Sequence, residues 1–199
     1  MCTVSTSSRG SYHHGDLRAA LLTQALDMLE TSPTLSLRAL AKKTGVSPTA
    51  VYRHFADKQA LESALAAHGY SQLHHHLTQT ASLTTSIDEA WRLAYTYATW
   101  ARDNQPLFSL MFTTQCDPSA PERVEAVATL TSFLTSQVTR WYPDRCDPAF
   151  LNGLWALVHG MATLAMQGKI FSTAHNPQAT TDADLAEHIR TTWQDILGS

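Results

Sequence analysis

The stretch that most restricts the fold is Leu37-Arg-Ala-Leu40-Ala41-Lys-Lys-Thr-Gly45-Val46-Ser47-Pro48-Thr-Ala-Val51-Tyr52-Arg53-His54-Phe55. Leu37, Leu40 and Ala41 recur at helical spacing and make one apolar face, and Val51 and Phe55, four apart, make another. Between them Gly45 supplies the left-handed backbone that a tight turn between crossed helices demands. Ser47 suits the N-cap of the second helix, with Pro48 preorganised at its first position. The side chains left facing outward are Thr49, Ala50, Tyr52, Arg53 and His54: slim at the leading end, cationic and aromatic farther on. That gradient suits a helix whose N-terminus enters a major groove. A helical hairpin inside a bundle would share the apolar pattern, but Lys42, Lys43, Arg53 and Lys58 add cations where phosphate contacts would be needed.

Helical periodicity dominates the remainder. Leu17, Leu21, Leu22, Ala25, Leu26 and Leu29 predict a helix from about Gly15, stopped at Thr31-Ser32-Pro33. Asp57 is the expected N-cap of a longer helix through Leu61, Leu65 and Leu73. Capping-box patterns at Ser86–Glu89 and Ser119–Glu122 predict two further helix starts, the first carrying Trp91, Tyr95 and Ala98. Asn104-Gln105-Pro106 ends that helix, and a short apolar segment, Leu107 to Phe112, follows. Asp147-Pro148 opens an unusually apolar helix reaching Ile170, and Thr181 with Asp184 opens the last one. No segment alternates like a strand, so the expected class is all-α: a flexible arm over 1–14, a head over 15–60 and a body over 61–199.

Charge divides the same way. Although the 199 residues carry a net charge of −3, residues 1–60 hold seven Lys or Arg against four acids, and residues 61–199 seven against thirteen. A basic head joined to an acidic body is the footprint of local polyanion binding. Cys2, Cys116 and Cys146 have neither disulfide nor metal spacing. The polar N-terminus lacks a signal-peptide core and no run is expected to span a membrane, so a cytoplasmic protein is expected. His74-His75-His76 cannot converge on one ion, because successive helical residues diverge by about 100°. No metal or cofactor site is expected, and no nucleophile elbow, phosphate loop or dinucleotide fingerprint suggests an enzyme.

The run Leu37 to Leu61, with Tyr52-Arg-His-Phe55 followed by Asp57-Lys58-Gln-Ala-Leu61, resembles the DNA-binding domain of the TetR family of bacterial transcriptional regulators. Tyr12-His13-His14-Gly15-Asp16-Leu17-Arg18 resembles the start of one subgroup of that family. Trp155-Ala-Leu-Val-His159-Gly160 is similar to that subgroup's Trp…His-Gly signature. The resemblance implies a homodimer with a three-helix helix-turn-helix head and a six-helix ligand-binding body, dimerising through its last two helices. It also implies that Thr49, Ala50 and Arg53 face bases, and that Tyr52, Lys58, Thr44 and His54 touch phosphates. Ser36, Ser47 and Pro48, at the starts of the two short helices, complete the expected contacts with double-stranded DNA. A small-molecule effector in the body would change the tilt of the helix beginning at Asp57, and so release a repressor from its operator. The rival expectation is an all-α small-molecule-binding protein acting through protein partners.

Aromatic and Met residues concentrate in the body, and Trp91, Tyr95, Phe112, Trp155 and His159 are the expected ligand-binding residues. An apolar or aromatic effector follows, because Arg92 and Arg102 are expected on other faces of their helix from Tyr95. Gly153, Ala156, Gly160 and Thr163 form a small-residue stripe, and Leu185, Ile189 and Trp193 an apolar stripe on the last helix. Together they are the expected dimerisation surface.

Overall fold

The computed structural model describes residues 14–32, 35–84, 86–114, 117–118, 120–145, 147–170 and 181–197. All three cysteines and nearly all of the expected arm lie outside them, as does Pro33; His14 already opens the first helix. Among the described residues the regular structure is entirely helical, and the chain divides into two compact units after Leu61.

The first unit holds α1 (His14–Thr31), α2 (Leu37–Thr44) and α3 (Pro48–Tyr52), with α2 packed against both others. Its core is built from the helical spacings of the sequence: Leu21, Ala25 and Met28 from α1, Leu37, Leu40 and Ala41 from α2, then Val51 and Phe55. Leu21, Leu40, Val51 and Phe55 are all but fully buried, each stabilising the unit by about 1.5–3 kcal/mol on area grounds. The Arg18 guanidinium lies 5.5 Å from the centre of the Phe55 ring, a cation–π contact over that core.

α4 (Lys58–Leu83) begins in the first unit and continues into the second. Asp57 caps it, its carboxylate accepting from Ala60 N–H at 2.8 Å. The second unit continues with α5 (Trp91–Asp103), α6 (Gln105–Thr113), α7 (Pro121–Trp141), α8 (Pro148–Met166) and α9 (Asp182–Leu197). α5 is its hub, buried along Leu93, Ala94, Tyr97, Ala98, Trp100 and Ala101 and packed against α6, α8 and α9.

Gly69 lets α4 and α6 approach: a Cβ there would lie 2.5 Å from Met111 Sδ and 3.1 Å from Leu107 Cγ. Next to it Tyr70 Oη donates to the Met111 carbonyl at 3.1 Å, which also accepts from Arg123 Nη2 at 3.1 Å. Arg123 is buried, and the same nitrogen donates to Thr114 O at 2.9 Å. A buried cation thus satisfies carbonyls at the end of α6, where the helix dipole is negative.

Three boundaries differ from expectation. Ser86 makes no side-chain cap bond, because Ile87–Glu89 winds as a 3-10 turn and the α-helix begins only at Trp91. α7 starts at Pro121 with Ala120 as its uncapped N-cap, the fixed proline φ setting the first helical position; Ser119 lies outside the described residues. α8 stops at Met166 rather than Ile170, because Gly168 turns left-handed at φ +62°. The other two expected caps form: Asp147 accepts from Ala149 and Phe150 N–H, and Thr181 and Asp184 bond reciprocally.

Candidate functional site

The helix-turn-helix is assembled by local hydrogen bonds that its sequence dictates. Ser36 Oγ accepts from Ala39 N–H at 3.4 Å and starts α2. At its end Gly45 takes φ +70°, with Gly45 N–H bonded to Lys42 O and Val46 N–H to Ala41 O, the paired 5→2 and 6→1 bonds of a Schellman turn. Ser47 Oγ then accepts from Ala50 N–H at 3.2 Å, with Pro48 in the first turn. Burial of Val51 and Phe55 turns the other side of α3 outward. Ser47, Pro48, Thr49, Tyr52 and Arg53 are exposed, and Ala50 and His54 are half-buried. Lys42, Lys43 and Lys58 are exposed on the same unit. The hydroxyls of Ser36 and Ser47 accept within the protein and retain their protons for donation outward. Thr44 differs from expectation: it is half-buried and its hydroxyl donates to Leu40 O at 2.8 Å, so its proton serves α2 rather than a phosphate.

The second unit has a partly open cavity of about 440 Å³ lined from every helix between α4 and α9, including Tyr70, Tyr97, Phe112, Trp155 and Trp193. Beside it Tyr97 Oη lies 3.0 Å from His159 Nδ1. Burial lowers the His159 pKa and raises that of Tyr97, so both are neutral near pH 7, and the imidazole tautomer sets which of them donates. His159 is wedged among aromatic rings: stacked on Phe108 at 5.3 Å, edge-on to Phe112 at 4.5 Å and tilted on Trp155 at 5.4 Å.

Of the five expected ligand residues, the structure brings Phe112 and Trp155 to the cavity wall, with His159 packed directly behind them. Trp91 and Tyr95 do not line it. α5 presents Leu93, Ala94 and Tyr97 there, while Tyr95 faces Asp182 and Arg102, whose charges act on its phenol. The expectation that Arg102 lies on another face from Tyr95 is corrected too: seven residues are nearly two full turns, so both side chains point the same way. That face lies at the start of α9, where Arg102 pairs with Asp182. Residues missed in the sequence are Leu93, Ala94 and Tyr97 on α5, with Leu130, Leu134, Gln137 and Trp141 on α7. The α7 set repeats at three and four and was legible as a single stripe.

The expected dimer surface divides. Leu185, Ile189 and Trp193 are buried within the single chain, on the face of α9 that packs against α5, and Trp193 also lines the cavity; they are core. On α8, Gly153 and Ala156 are exposed and Gly160 and Thr163 half-buried, and a Cβ at either glycine would meet nothing within 4 Å. Trp155 and Leu164 on the same helix are 49% and 40% exposed. By length and composition α8 is apolar enough to cross a membrane, contrary to the expectation that no run would be.

Among the described residues no cluster of His, Cys, Asp or Glu could hold a metal ion. His75 Nε2 instead meets Gln79 Nε2 at 2.9 Å, and His74 lies edge-on to Phe133 at 5.2 Å.

The first unit is a helix-turn-helix and the second an all-helical unit with a cavity, which together define a class: DNA-binding regulators with a separate helical C-terminal domain. Residues 33–65 match the family described as bacterial regulatory proteins, tetR family, and residues 90–188 match the tetracyclin repressor-like C-terminal domain. The chain belongs to the TetR family of transcriptional regulators; it is a DNA-binding regulator and not an enzyme. Among solved structures, it is similar to a protein of unknown function from Rhodococcus sp. RHA1, with 30% identity over 94% of this chain and 98% of that one at TM-score 0.75. It also shares its fold with SCO4313, a protein assigned a regulatory role: 22% identity, 94% and 97% coverage, TM-score 0.63. A third similar fold is the TetR family regulator PfmR from Thermus thermophilus, at 16% identity, 89% and 96% coverage and TM-score 0.59. No curated protein matches the chain.

Proposed function

We propose that the protein is a homodimeric repressor, acting in the cytoplasm, that leaves its operator when a small, uncharged, mostly apolar effector enters the cavity of the second unit. The observation that carries this reading is the cavity itself. At about 440 Å³ it falls in the range of small-molecule sites, and its walls come from every helix of the sensing unit. Occupation by a ligand therefore acts on all of them at once. α4 is the helix that runs from the head into the sensing unit, and it contributes both Tyr70 to the cavity and Gly69 to the contact with α6. Displacing α6 by filling the space beside Phe112 would move Met111, and with it the Tyr70 hydrogen bond that ties α4 in place.

On the head, Thr49, Ala50 and Arg53 are assigned to bases, and Tyr52, Lys58, His54, Ser36, Ser47 and Pro48 to the sugar-phosphate backbone. Two recognition helices about 34 Å apart would read successive half-sites, which requires a dimer. Its surface is assigned to the open small-residue stripe of α8, where a second copy would also cover Trp155 and Leu164. Selecting preferred sites from a randomised duplex pool with the full chain tests this reading. A two-fold repeated site, bound by two copies and released by a neutral apolar compound that also raises the Tm, is the expected result. Selection of an unrepeated site bound by one copy would overturn the dimeric assignment. Release by polyanions alone would overturn the effector assignment.

A further inference from the structure

Resting on the reading of the protein as an effector-responsive dimer, we propose that a second copy of the chain supplies the missing wall of the cavity, so that the effector site is complete only in the dimer and effector binding tightens the dimer. The cavity of about 440 Å³ is partly open. Of its lining residues, Thr131 on α7 and Pro148, Asn152 and Trp155 on α8 are exposed, which puts the mouth between those two helices. The backbone agrees, since α8 packs along α5 and makes no comparable approach to α7. An apolar effector in a single chain would leave part of its surface in water and forgo the burial that drives its binding. Small-molecule sites cover about 70–90% or more of their ligand, so a further wall is needed.

What covers the mouth follows from α8 itself. Its 19 residues include no Asp, Glu, Lys or Arg, yet only Leu154, Met161 and Ala162 among them are buried within the chain. A two-fold contact sets one patch against its own copy, so any charge in the patch meets its like; an uncharged helix is free of that repulsion and suits a second copy of itself. The place where such a copy seats adjoins the mouth. Asn152 and Trp155 of the wall immediately precede Gly153 and Ala156, and successive helical residues turn by about 100°, so the wall and the open face bearing the two glycines are neighbouring sides of one helix. A helix about 10 Å across, seated about 8–10 Å from the α8 axis on that open face, overhangs the exposed side of Trp155. By the two-fold, each copy closes the other's cavity. Linkage then works both ways: whatever factor dimerisation adds to effector affinity, the effector adds to dimerisation, once for each of the two sites. The operator is consequently released by an intact dimer and not by its dissociation into monomers.

The test uses the full chain and 1-N-phenylnaphthylamine, an uncharged aromatic probe whose fluorescence rises in apolar surroundings. It is titrated into the wild type and into Gly160→Leu, at a concentration where sedimentation finds the first dimeric and the second monomeric. The dimer is expected to bind the probe at least about tenfold more tightly than the monomer, and saturating probe to tighten the dimer by the square of that factor, about a hundredfold. Diluting the wild type through its own dimer–monomer transition gives the same comparison with no substitution, so the outcome does not depend on how well the variant folds. Equal probe affinity in dimer and monomer would overturn the proposal while leaving both the cavity and the dimer in place. A dimer that Gly160→Leu leaves intact would overturn it too, because the second copy would then sit elsewhere. Adsorption to phosphatidylcholine vesicles with no self-association in solution would overturn it in favour of a lipid surface. A wild type that binds the probe but stays monomeric would overturn the dimeric reading on which it rests, and failure of the probe to bind either form would overturn the cavity reading.

Discussion

Arg53 and Tyr52 are neighbours on the exposed side of α3, but they differ in what they can recognise. A guanidinium reaches two acceptors on a base edge, whereas a phenol offers one donor to a phosphate. Arg53→Ala should therefore relax the preference at one base step by about 1–3 kcal/mol. Tyr52→Phe and Lys58→Ala should weaken every site by the same factor, and Lys58→Ala should also flatten the salt dependence. Competition assays on single-base variants of the selected operator, repeated at two salt concentrations, separate the two behaviours; a loss of base discrimination in all three variants would refute the assignment. Gly45 and Ser47 are equally testable. Because Gly45 sits at φ +70° with open space around it, Gly45→Ala should cost about 1 kcal/mol through backbone strain alone. Ser47→Ala removes the cap on Ala50 N–H at a similar cost. Both appear as a lowered Tm of the head. These positions were legible in the sequence because turn and cap chemistry involves atoms within four or five residues. The role of Thr44 was not, since whether its hydroxyl turns back to Leu40 or out to a phosphate depends on its rotamer.

Helices raise a different question, namely which of their faces is turned inward. α9 carries an apolar stripe that would serve equally as a dimer surface or as core, and α5 settles it by burying Leu185, Ile189 and Trp193. Trp193→Glu should consequently unfold the second unit rather than separate two folded copies; circular dichroism would report the difference, and a folded, fully helical monomer would contradict this placement. α8 is the reverse case. Its glycines face open space, so Gly160→Leu should leave the Tm of a single chain nearly unchanged and yet weaken self-association at least about tenfold, as measured by sedimentation. Gly69 is unlike either. A side chain there meets Met111 and Leu107, both buried, so Gly69→Val should destabilise the second unit by about 1–3 kcal/mol despite removing a helix glycine.

Over the whole molecule, pH acts through the histidines that burial keeps neutral. His159 and His68 both have native pKa values held below 6.5 by desolvation, so the unfolded chain takes up protons first as pH falls. Stability should be full at about pH 7 and above and decline as the pH drops through about 6.5, levelling off only below the depressed native values. Thermal melts from about pH 7.5 to 5 would trace this decline, which His159→Gln should make shallower; a Tm that rises on acidification would contradict it. The division of labour between a basic head and an acidic body was already visible in the order of charges along the chain. So were the all-α class, the caps at Asp57, Asp147 and Thr181, and the crossed pair of helices around Gly45, each encoded by residues close to one another. The cavity was not visible in this way. Its wall draws residues from six helices, most of them from α7 and α8, and a helix with apolar groups on several sides carries no local record of which side meets which neighbour. Packing alone moved Trp91 and Tyr95 away from the site, brought Tyr97, Gln137 and Trp141 into it, and turned Trp193 from an expected contact between copies into a wall of the chamber.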